Sequence, residues 1–318
     1  MTMMWGELFS LAAAATWAVG VILYRQLGLS LSPLSLNFLK NLLVLTGLLP
    51  IALLVDSQAF AALPARDIVL ALVSGAIGIA VADTLYFRAL NALGAARMGI
   101  LGNSYSPWVI VLSMIALGER LSVAQWAGFA LVSSGVLMVV WPARSRRNLP
   151  SPATADTFPE LVVGDRAQEP TAPKGTPGGA LIGVLSIFLM AFSIVMIKPT
   201  LEAQPLLPVT IVRMFGALLG MVLVVGLRGN WGALWPRRGT VPWLRLAIAA
   251  LFGQGLSMVF WLAGYKLTDA AVAAILNETA SVFILLLAWF WLGERPGRKG
   301  LAGVVLAFSG VACMLLLQ

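Results

Sequence analysis

The tetrapeptide Leu117-Gly118-Glu119-Arg120 occurs a second time, 175 residues later, as Leu292-Gly293-Glu294-Arg295. Further pairs at the same offset are Gly128 and Gly303, Ser134-Gly135-Val136 and Ser309-Gly310-Val311, Ala95-Ala96 and Ala270-Ala271, and Ser106 and Ser281. One constant offset over so many positions indicates that the chain contains two related halves. We place these halves at residues 1–141 and 178–318.

The composition predicts an all-α integral membrane protein. Of 318 residues, 60% are hydrophobic and only 11% are charged, and the mean hydropathy is +0.93. A soluble domain carries about 25% charged residues, and a water-soluble fold of this length has too much surface to hide so many apolar side chains. Lipid must therefore solvate much of the chain.

Ten stretches are apolar over about the 20 residues that a membrane-spanning helix needs. They are residues 5–24, 34–55, 68–90, 96–117, 123–141, 179–198, 207–227, 243–265, 271–292 and 300–317. Because five helices per half is an odd number, the second half must cross the membrane in the opposite sense to the first. We therefore predict ten transmembrane helices arranged as two inverted five-helix repeats, an architecture that recurs among transporters.

Residues 142–177 differ from the rest of the chain. They combine many prolines with charges of both signs and show little apolar periodicity. Such a segment buries too little surface to order itself, so we predict a flexible aqueous linker between the halves.

Several kinds of chemistry are excluded by what the chain lacks. It contains no histidine, which excludes histidine-ligated zinc and Ser-His-Asp catalysis. Its one cysteine, Cys313, lies in an apolar setting and excludes an internal disulfide. It has no Gly-x-x-x-x-Gly-Lys-Ser/Thr motif for ATP. The net charge of +8 comes mostly from residues between apolar segments, which membrane topology explains better than nucleic-acid binding. We expect no cofactor, no metal site and no nucleic-acid partner.

The small residues, the Gly-Glu pair and the spaced glycines of each half resemble the EamA-type repeat of the drug/metabolite transporter superfamily, in its ten-helix branch. The resemblance covers nearly everything outside the linker. It implies a carrier with a central cavity lined by the first four helices of each half, and it implies that the fifth and tenth helices are peripheral.

Four charged residues fall well inside predicted helices: Lys40, Asp83, Arg213 and Glu278. Charge is costly within a membrane, so each is a functional candidate. Glu278 is the strongest, since it follows Asn277 in an otherwise apolar helix. Desolvation favours the proton-bound form of such a carboxylate, which suits proton coupling or cation binding. The alternative is a structural ion pair of Glu278 with Arg213 or Lys40.

The repeat places Asn103 at the position of Glu278. Asn103 begins the polar run Asn103-Ser104-Tyr105-Ser106-Pro107, and Pro107 must leave the carbonyl of Asn103 without its helical partner. This run, including Tyr105, either lines a cavity or marks a packing kink.

Two further faces are related by the repeat. Gln254, Met258, Trp261 and Tyr265 share one face of the eighth helix, and the equivalent face of the third helix carries Ile79, Asp83, Tyr86 and Leu90. We interpret them as opposing cavity walls, although aromatic packing would give the same pattern. Trp17 is a candidate for stacking on a substrate or for filling the core. Asn37 and Asn41 share a face of the second helix and fit interhelical hydrogen bonding.

The recurrent Glu119 and Glu294 are interpreted as helix-capping residues with local ion pairs, rather than catalytic acids. Ser122 and Gln125 form a potential capping box beside Glu119. The small residues Gly128, Ser134, Gly135, Gly303, Ser309 and Gly310 fit close helix packing.

Basic residues are unequal on the two sides of the predicted membrane. The connectors on the side of residue 1 hold Arg66, Arg120, Lys198 and Lys266, whereas the opposite side, which includes the linker, holds many more. The positive-inside rule therefore places the linker in the cytoplasm and both termini outside. The family resemblance implies the opposite orientation.

These features together favour a secondary transporter or exporter of small polar or amphipathic metabolites, such as amino acids or drug-like compounds. It would work by alternating access, with possible proton coupling, as a monomer or homodimer in contact with membrane lipid, in a bacterial inner membrane. The alternatives are a flippase for lipids or lipid-linked sugars and, less favoured, an integral membrane enzyme that modifies lipids.

Overall fold

The computed structural model describes residues 2–28, 30–93, 98, 101–140, 177–236, 241–292 and 298–316. The predicted linker, Ala95-Ala96 and Glu294 lie outside these residues. We number the membrane-crossing segments as ten spans in chain order. The spans contain the helices Thr2–Leu27 (first), Pro33–Ala61 (second), Ala65–Gly75 with Thr84–Leu93 (third), Tyr105–Ala116 (fourth), Val123–Val140 (fifth), Pro177–Ala203 (sixth), Leu206–Arg228 (seventh), Trp243–Ala250 with Ser257–Leu267 (eighth), Ala270–Asn277 with Ala280–Leu292 (ninth) and Arg298–Leu316 (tenth).

The lengths and compositions of these helices confirm the predicted fold class. Eight spans are long and apolar enough to cross a membrane, and the fourth and fifth contain shorter apolar helices, Tyr105–Ala116 and Val123–Met138. Large apolar side chains such as Leu54 and Leu227 point outward and are almost fully exposed. In water that surface would be unfavourable, so it is the surface that lipid covers.

The sixth span is longer than the sequence predicted, and this corrects one assignment. The helix was expected to end at 198, with Lys198 in an aqueous connector. It continues to Ala203, and Lys198 is only 3% exposed. Lys198 therefore belongs to the protein interior and does not contribute to the charge of a connector.

The third and eighth spans each contain a π-helical segment, Ala76–Asp83 and Leu251–Leu256. The two segments begin at repeat-equivalent positions. A π-helical segment changes the backbone hydrogen-bond register, and carbonyls at membrane depth need other donors. The Asn37 amide donates to the Ile79 carbonyl at 2.7 Å, and the Ser186 hydroxyl donates to the Ala82 carbonyl at 3.0 Å. Asn37 therefore makes the interhelical hydrogen bonds that the sequence predicted, whereas the Asn41 amide donates to Asn37 within the same helix.

The fourth and ninth spans are interrupted at equivalent places. A turn at Asn103-Ser104 precedes the helix of the fourth span, and a turn at Glu278-Thr279 divides the ninth span into two helices. The sequence predicted a continuous helix for the ninth span, whereas for the fourth span it allowed a kink at Asn103. In the fourth span the break follows from Pro107, which has no N–H to donate to Asn103. Broken helices at membrane depth expose backbone and polar groups that can bind a solute.

The halves pack against each other through two repeat-equivalent glycines. Each lies in the third span of its own half and contacts the first span of the other half. Gly253 of the eighth span lies against Gly20 of the first, where a Cβ on Gly253 would come within 2.6 Å of the Gly20 Cα. Gly78 of the third span lies against the sixth, where a Cβ would come within 2.2 Å of the Ser193 Oγ. Each half therefore supplies one wall of a shared interface.

The fifth and tenth spans pack on each other through small residues. A Cβ on Gly135 would lie 2.6 Å from the Gly303 carbonyl oxygen, and one on Gly310 would lie 2.8 Å from that of Gly128. This agrees with the close packing predicted for the four glycines. The prediction was wrong for Ser134 and Ser309, which are exposed on the outer faces of their helices.

Candidate functional site

Lys40 of the second span is fully buried, and its ammonium group joins the two halves. It donates to Asp83 Oδ2 at 2.7 Å and to Gln254 Oε1 at 2.8 Å. The rings of Tyr24 and Phe87 lie 5.6 and 5.3 Å from Lys40 Nζ and add cation–π attraction. Asp83 is therefore held by a cation inside the protein, and its side chain is 16% exposed.

Arg213 of the seventh span is 1% exposed. Its Nη2 donates to the Ser193 hydroxyl at 3.0 Å, and its guanidinium carbon lies 5.6 Å from the centre of the Trp261 ring. Nε and Nη1 make no hydrogen bond among the described residues. Asp83 acts on Arg213 electrostatically but is bound directly to Lys40.

Glu278 lies at the break in the ninth span and is 7% exposed. The Ser133 hydroxyl of the fifth span donates to its Oε2 at 3.0 Å. Ser106 of the fourth span also faces the carboxylate, although neither Glu278 Oε1 nor Ser106 Oγ completes a hydrogen bond among the described residues. The alternative of an ion pair with Arg213 or Lys40 is not observed in the part of the chain that the structure describes.

Two tyrosines connect the surroundings of Arg213 to those of Glu278. The Tyr105 and Tyr265 hydroxyls are hydrogen-bonded at 2.8 Å across the two halves. Tyr105 is within electrostatic range of Arg213, and Tyr265 is within range of Glu278. Trp261 packs edge-on against Tyr265, with ring centres 5.1 Å apart.

The remaining candidates lie around this group with less specific contacts. Trp17 and Tyr86 are half-buried, and both lie in an aromatic chain that runs through Tyr24 and Phe87. The Asn277 amide bonds within its own helix, to the Ala273 carbonyl at 2.7 Å. Asn103 Nδ2 is buried without a partner among the described residues.

One end of the bundle is joined by a second set of polar contacts, which we call the end cluster: Glu119, Lys198, Glu202, Lys266 and Thr268. Glu119 accepts hydrogen bonds from the backbone N–H groups of Ala270 and Ala271 at 2.9 and 3.2 Å. The Lys198 ammonium lies 3.7 Å from Glu119, contacts Glu202, and donates to the carbonyls of Tyr265 and Thr268. Lys266 donates to the carbonyls of Leu201, Glu202 and Gln204 at the end of the sixth span.

The end cluster refines the prediction for Glu119. Glu119 caps a helix, but that helix is the ninth span in the other half, so the cap is not local. The predicted capping box is present beside it, with Ser122 and Gln125 exchanging hydrogen bonds.

Sequence reasoning did not select Ser133, Ser193 or Lys198. The serines are ordinary residues in apolar helices, and no local pattern marks the buried charged groups that they contact. Lys198 was overlooked because it lies near a helix end, and its burial depends on packing against the eighth and ninth spans.

Comparison with known proteins shows which family the chain belongs to. The EamA-like transporter family matches residues 4–141 and 177–316. An uncharacterized transporter of Archaeoglobus fulgidus is 37% identical over 73 residues, which cover 23% of this chain and 25% of that relative. The match thus spans about a quarter of the curated relative's length.

The fold also occurs among solved structures. One protein crystal structure superposes with a TM-score of 0.73 at 19% sequence identity, over 98% of this chain and 96% of the other. That likeness concerns the fold alone, whereas the family match covers both halves. The chain is a multi-pass integral membrane protein that belongs to the EamA-like transporter family.

Proposed function

We propose that the protein is a secondary carrier that exports small polar or amphipathic metabolites, such as amino acids or drug-like compounds, by alternating access. The observation that carries this proposal is the location of its buried charged groups. Lys40, Asp83, Arg213 and Glu278 lie in the interior of the bundle, and the contacts of Lys40 with Gln254 and of Glu278 with Ser133 join the two halves. Charged groups inside a membrane are costly, and their use in binding a solute explains their presence.

Relative movement of the halves supplies the access change. The Lys40–Gln254, Tyr105–Tyr265 and Ser133–Glu278 contacts each join one half to the other. A rocking motion would break and remake bonds of this kind, while the hydrogen bonds inside each half stay intact. Other bonds between the halves, such as those of Ser186 with Ala82 and of Asp67 with Thr200, would have to rearrange as well. Inverted-repeat transporters use this kind of rigid-body exchange around a fixed midplane site.

The end cluster closes one route to the site in this arrangement. Glu119 and Lys198 belong to opposite halves and bind the same turn at the start of the ninth span. Opening on that side requires these charge-assisted bonds to separate, so the end cluster acts as the gate of one membrane face.

Glu278 is the proposed coupling residue. Its carboxylate is buried, has no cationic partner among the described residues, and accepts a hydrogen bond from the Ser133 hydroxyl. Exchange of one proton at this carboxylate, as the halves move, would couple solute export to a proton gradient. We further propose a bacterial inner membrane as the location, surrounding lipid and protons as partners, and a monomer or homodimer as the assembly.

Purified protein in proteoliposomes tests both levels of the proposal. Counterflow, the trans-stimulated uptake of labelled metabolite, needs only a carrier, whereas accumulation driven by an imposed pH gradient also needs coupling. Glu278→Gln should retain counterflow and lose gradient-driven accumulation. Unchanged accumulation in Glu278→Gln would refute the coupling role.

Asp269→Asn is the matched control for this experiment. Asp269 is a carboxylate at the start of the same span, and its side chain makes no capping hydrogen bond. The Asp269→Asn variant should transport and couple as the wild type does. Lipid scrambling in place of metabolite counterflow would instead support a flippase.

A further inference from the structure

Arg213 is closely packed at the contact between the halves. Its backbone touches the third span, where a Cβ on Gly75 would come within 1.8 Å of the Arg213 carbonyl oxygen. Its side chain is also confined, since a Cβ on Gly78 would lie 3.3 Å from Nη2. Two glycines of the opposite half thus leave the space that the arginine occupies.

The hydrogen-bonding capacity of Arg213 is mostly unused. A guanidinium has five N–H bonds, of which one belongs to Nε and two to Nη1. These two nitrogens are buried and have no acceptor among the described residues, so only Nη2 is bound, by Ser193. Buried donors and buried charge are both expensive to leave unpaired, which points to an acceptor that binds during the transport cycle.

The described residues do not supply that acceptor. Asp83 is the carboxylate in electrostatic range, and Lys40 binds it at 2.7 Å. Glu278 interacts with Ser133, and no ion pair of Arg213 occurs among the described residues. Arg213 therefore carries one positive charge that a ligand can neutralise.

The charge balance selects the kind of anion. Lys40, the other cation of this region, is already used by Asp83 and Gln254. One free guanidinium matches a single negative charge and the planar two-oxygen geometry of a carboxylate. A phosphate ester would bring a second charge that no free cation among the described midplane residues could neutralise.

The neighbours of Arg213 select the rest of the ligand. Trp261 lies under the guanidinium at 5.6 Å and is half-buried. Tyr105, hydrogen-bonded to Tyr265, is also half-buried and lies within electrostatic range of Arg213. Aromatic faces beside a charged donor fit a flat apolar group attached to a carboxylate.

We propose that Arg213 binds the carboxylate of the transported solute, and that this solute is a monocarboxylate with a flat apolar group packed on Trp261. This inference rests on the proposed carrier function and adds the substrate class. Nε and Nη1 are not accessible in the present arrangement. The solute therefore reaches them when the halves move apart.

Matched pairs of compounds provide the test. Three monocarboxylates (3-phenylpropionate, indole-3-propionate and benzoate) are compared with their neutral amides in counterflow on reconstituted full-length protein. The wild type should prefer a carboxylate over its amide by about tenfold or more, because charge-assisted bonds to Arg213 are lost in the amide. Arg213→Gln should reduce carboxylate transport by a similar factor and leave amide transport within about twofold.

The variants separate binding from a structural role. Arg213→Lys keeps the positive charge but lacks the paired N–H donors of a guanidinium. It should therefore retain part of the preference for a carboxylate over its amide. Arg228→Gln, at the exposed end of the same span, should keep all of it. An Arg213→Gln variant that lowers transport of both members of a pair equally would overturn the proposal and show that Arg213 is structural. If Arg213→Gln does not fold, the comparison of Arg213→Lys with wild type decides, and an unchanged carboxylate-to-amide ratio overturns the proposal.

A wider panel of amines, neutral sugars and zwitterions separates failure of this inference from failure of the proposed function. Wild-type counterflow of panel members without counterflow of the three carboxylates would overturn the substrate class and leave the carrier standing. Absence of counterflow for the carboxylates and the whole panel would contradict both.

Discussion

Removing the ammonium group of Lys40 should destabilise the bundle far more than removing both members of its ion pair. Lys40 is fully buried, and Lys40→Met leaves Asp83 and the Gln254 Oε1 without their donor. Breaking a buried pair by deleting one partner costs about 3–5 kcal/mol, because a charge stays buried without compensation. The two lost cation–π contacts act in the same direction.

The double variant Lys40→Met with Asp83→Leu leaves no uncompensated charge. Apolar replacement of a whole buried pair is often neutral or stabilising, so the main remaining penalty is the unpaired Gln254 oxygen, about 1–3 kcal/mol. We therefore expect the double variant to be more stable than Lys40→Met alone.

The free energy of unfolding is measured by tryptophan fluorescence in mixed micelles of increasing SDS content. Lys299→Met, at an exposed position of the tenth span, is the matched control and should stay within about 0.5 kcal/mol of wild type. The reasoning is refuted if Lys40→Met is as stable as this control. It is also refuted if the double variant loses the sum of the two single losses, since independent residues would give that result.

Two further substitutions test the gate and the packing of the halves. Glu119→Gln should lower the free energy of unfolding by about 1–3 kcal/mol, because it weakens the cap on Ala270 and Ala271 and leaves Lys198 with less compensation. It should also speed maleimide labelling of a cysteine at Thr268, in a background with Cys313→Ser, and an unchanged labelling rate would contradict the gate. Gly253→Ala should destabilise by about 1–3 kcal/mol, since its Cβ would overlap Gly20 and Tyr24, whereas Gly47→Ala, whose Cβ meets nothing within 4 Å, serves as the control. Equal stability of the two alanine variants would contradict the close contact of the first and eighth spans.

The number of spans and the repeat could be predicted from the sequence because both depend on local properties. Apolar length decides whether a segment crosses a membrane, and a constant offset of 175 residues requires only comparison of the two halves. The break at Glu278-Thr279 was less visible, since no proline marks it. Only its repeat equivalence with Asn103-Ser104, where Pro107 marks a break, indicates its position.

The partners of the charged residues could not be predicted in the same way. Four charges inside predicted helices allow several pairings, and Lys40 was considered for Glu278 although it binds Asp83. Which pair forms depends on how the second, third and eighth spans pack, and this is set by contacts between distant segments. The same reason explains why Lys198 was placed in a connector and why Ser133 was not linked to Glu278.

Counterflow by the purified protein in proteoliposomes tests the central claim most directly. The account predicts saturable uptake of a labelled monocarboxylate that rises when the same compound is loaded inside the vesicles. That trans-stimulated uptake should fall by about tenfold in Arg213→Gln and be kept in Glu278→Gln. Uptake of every tested metabolite that is linear in concentration and indifferent to internal substrate would contradict a carrier with a fixed site between two moving halves.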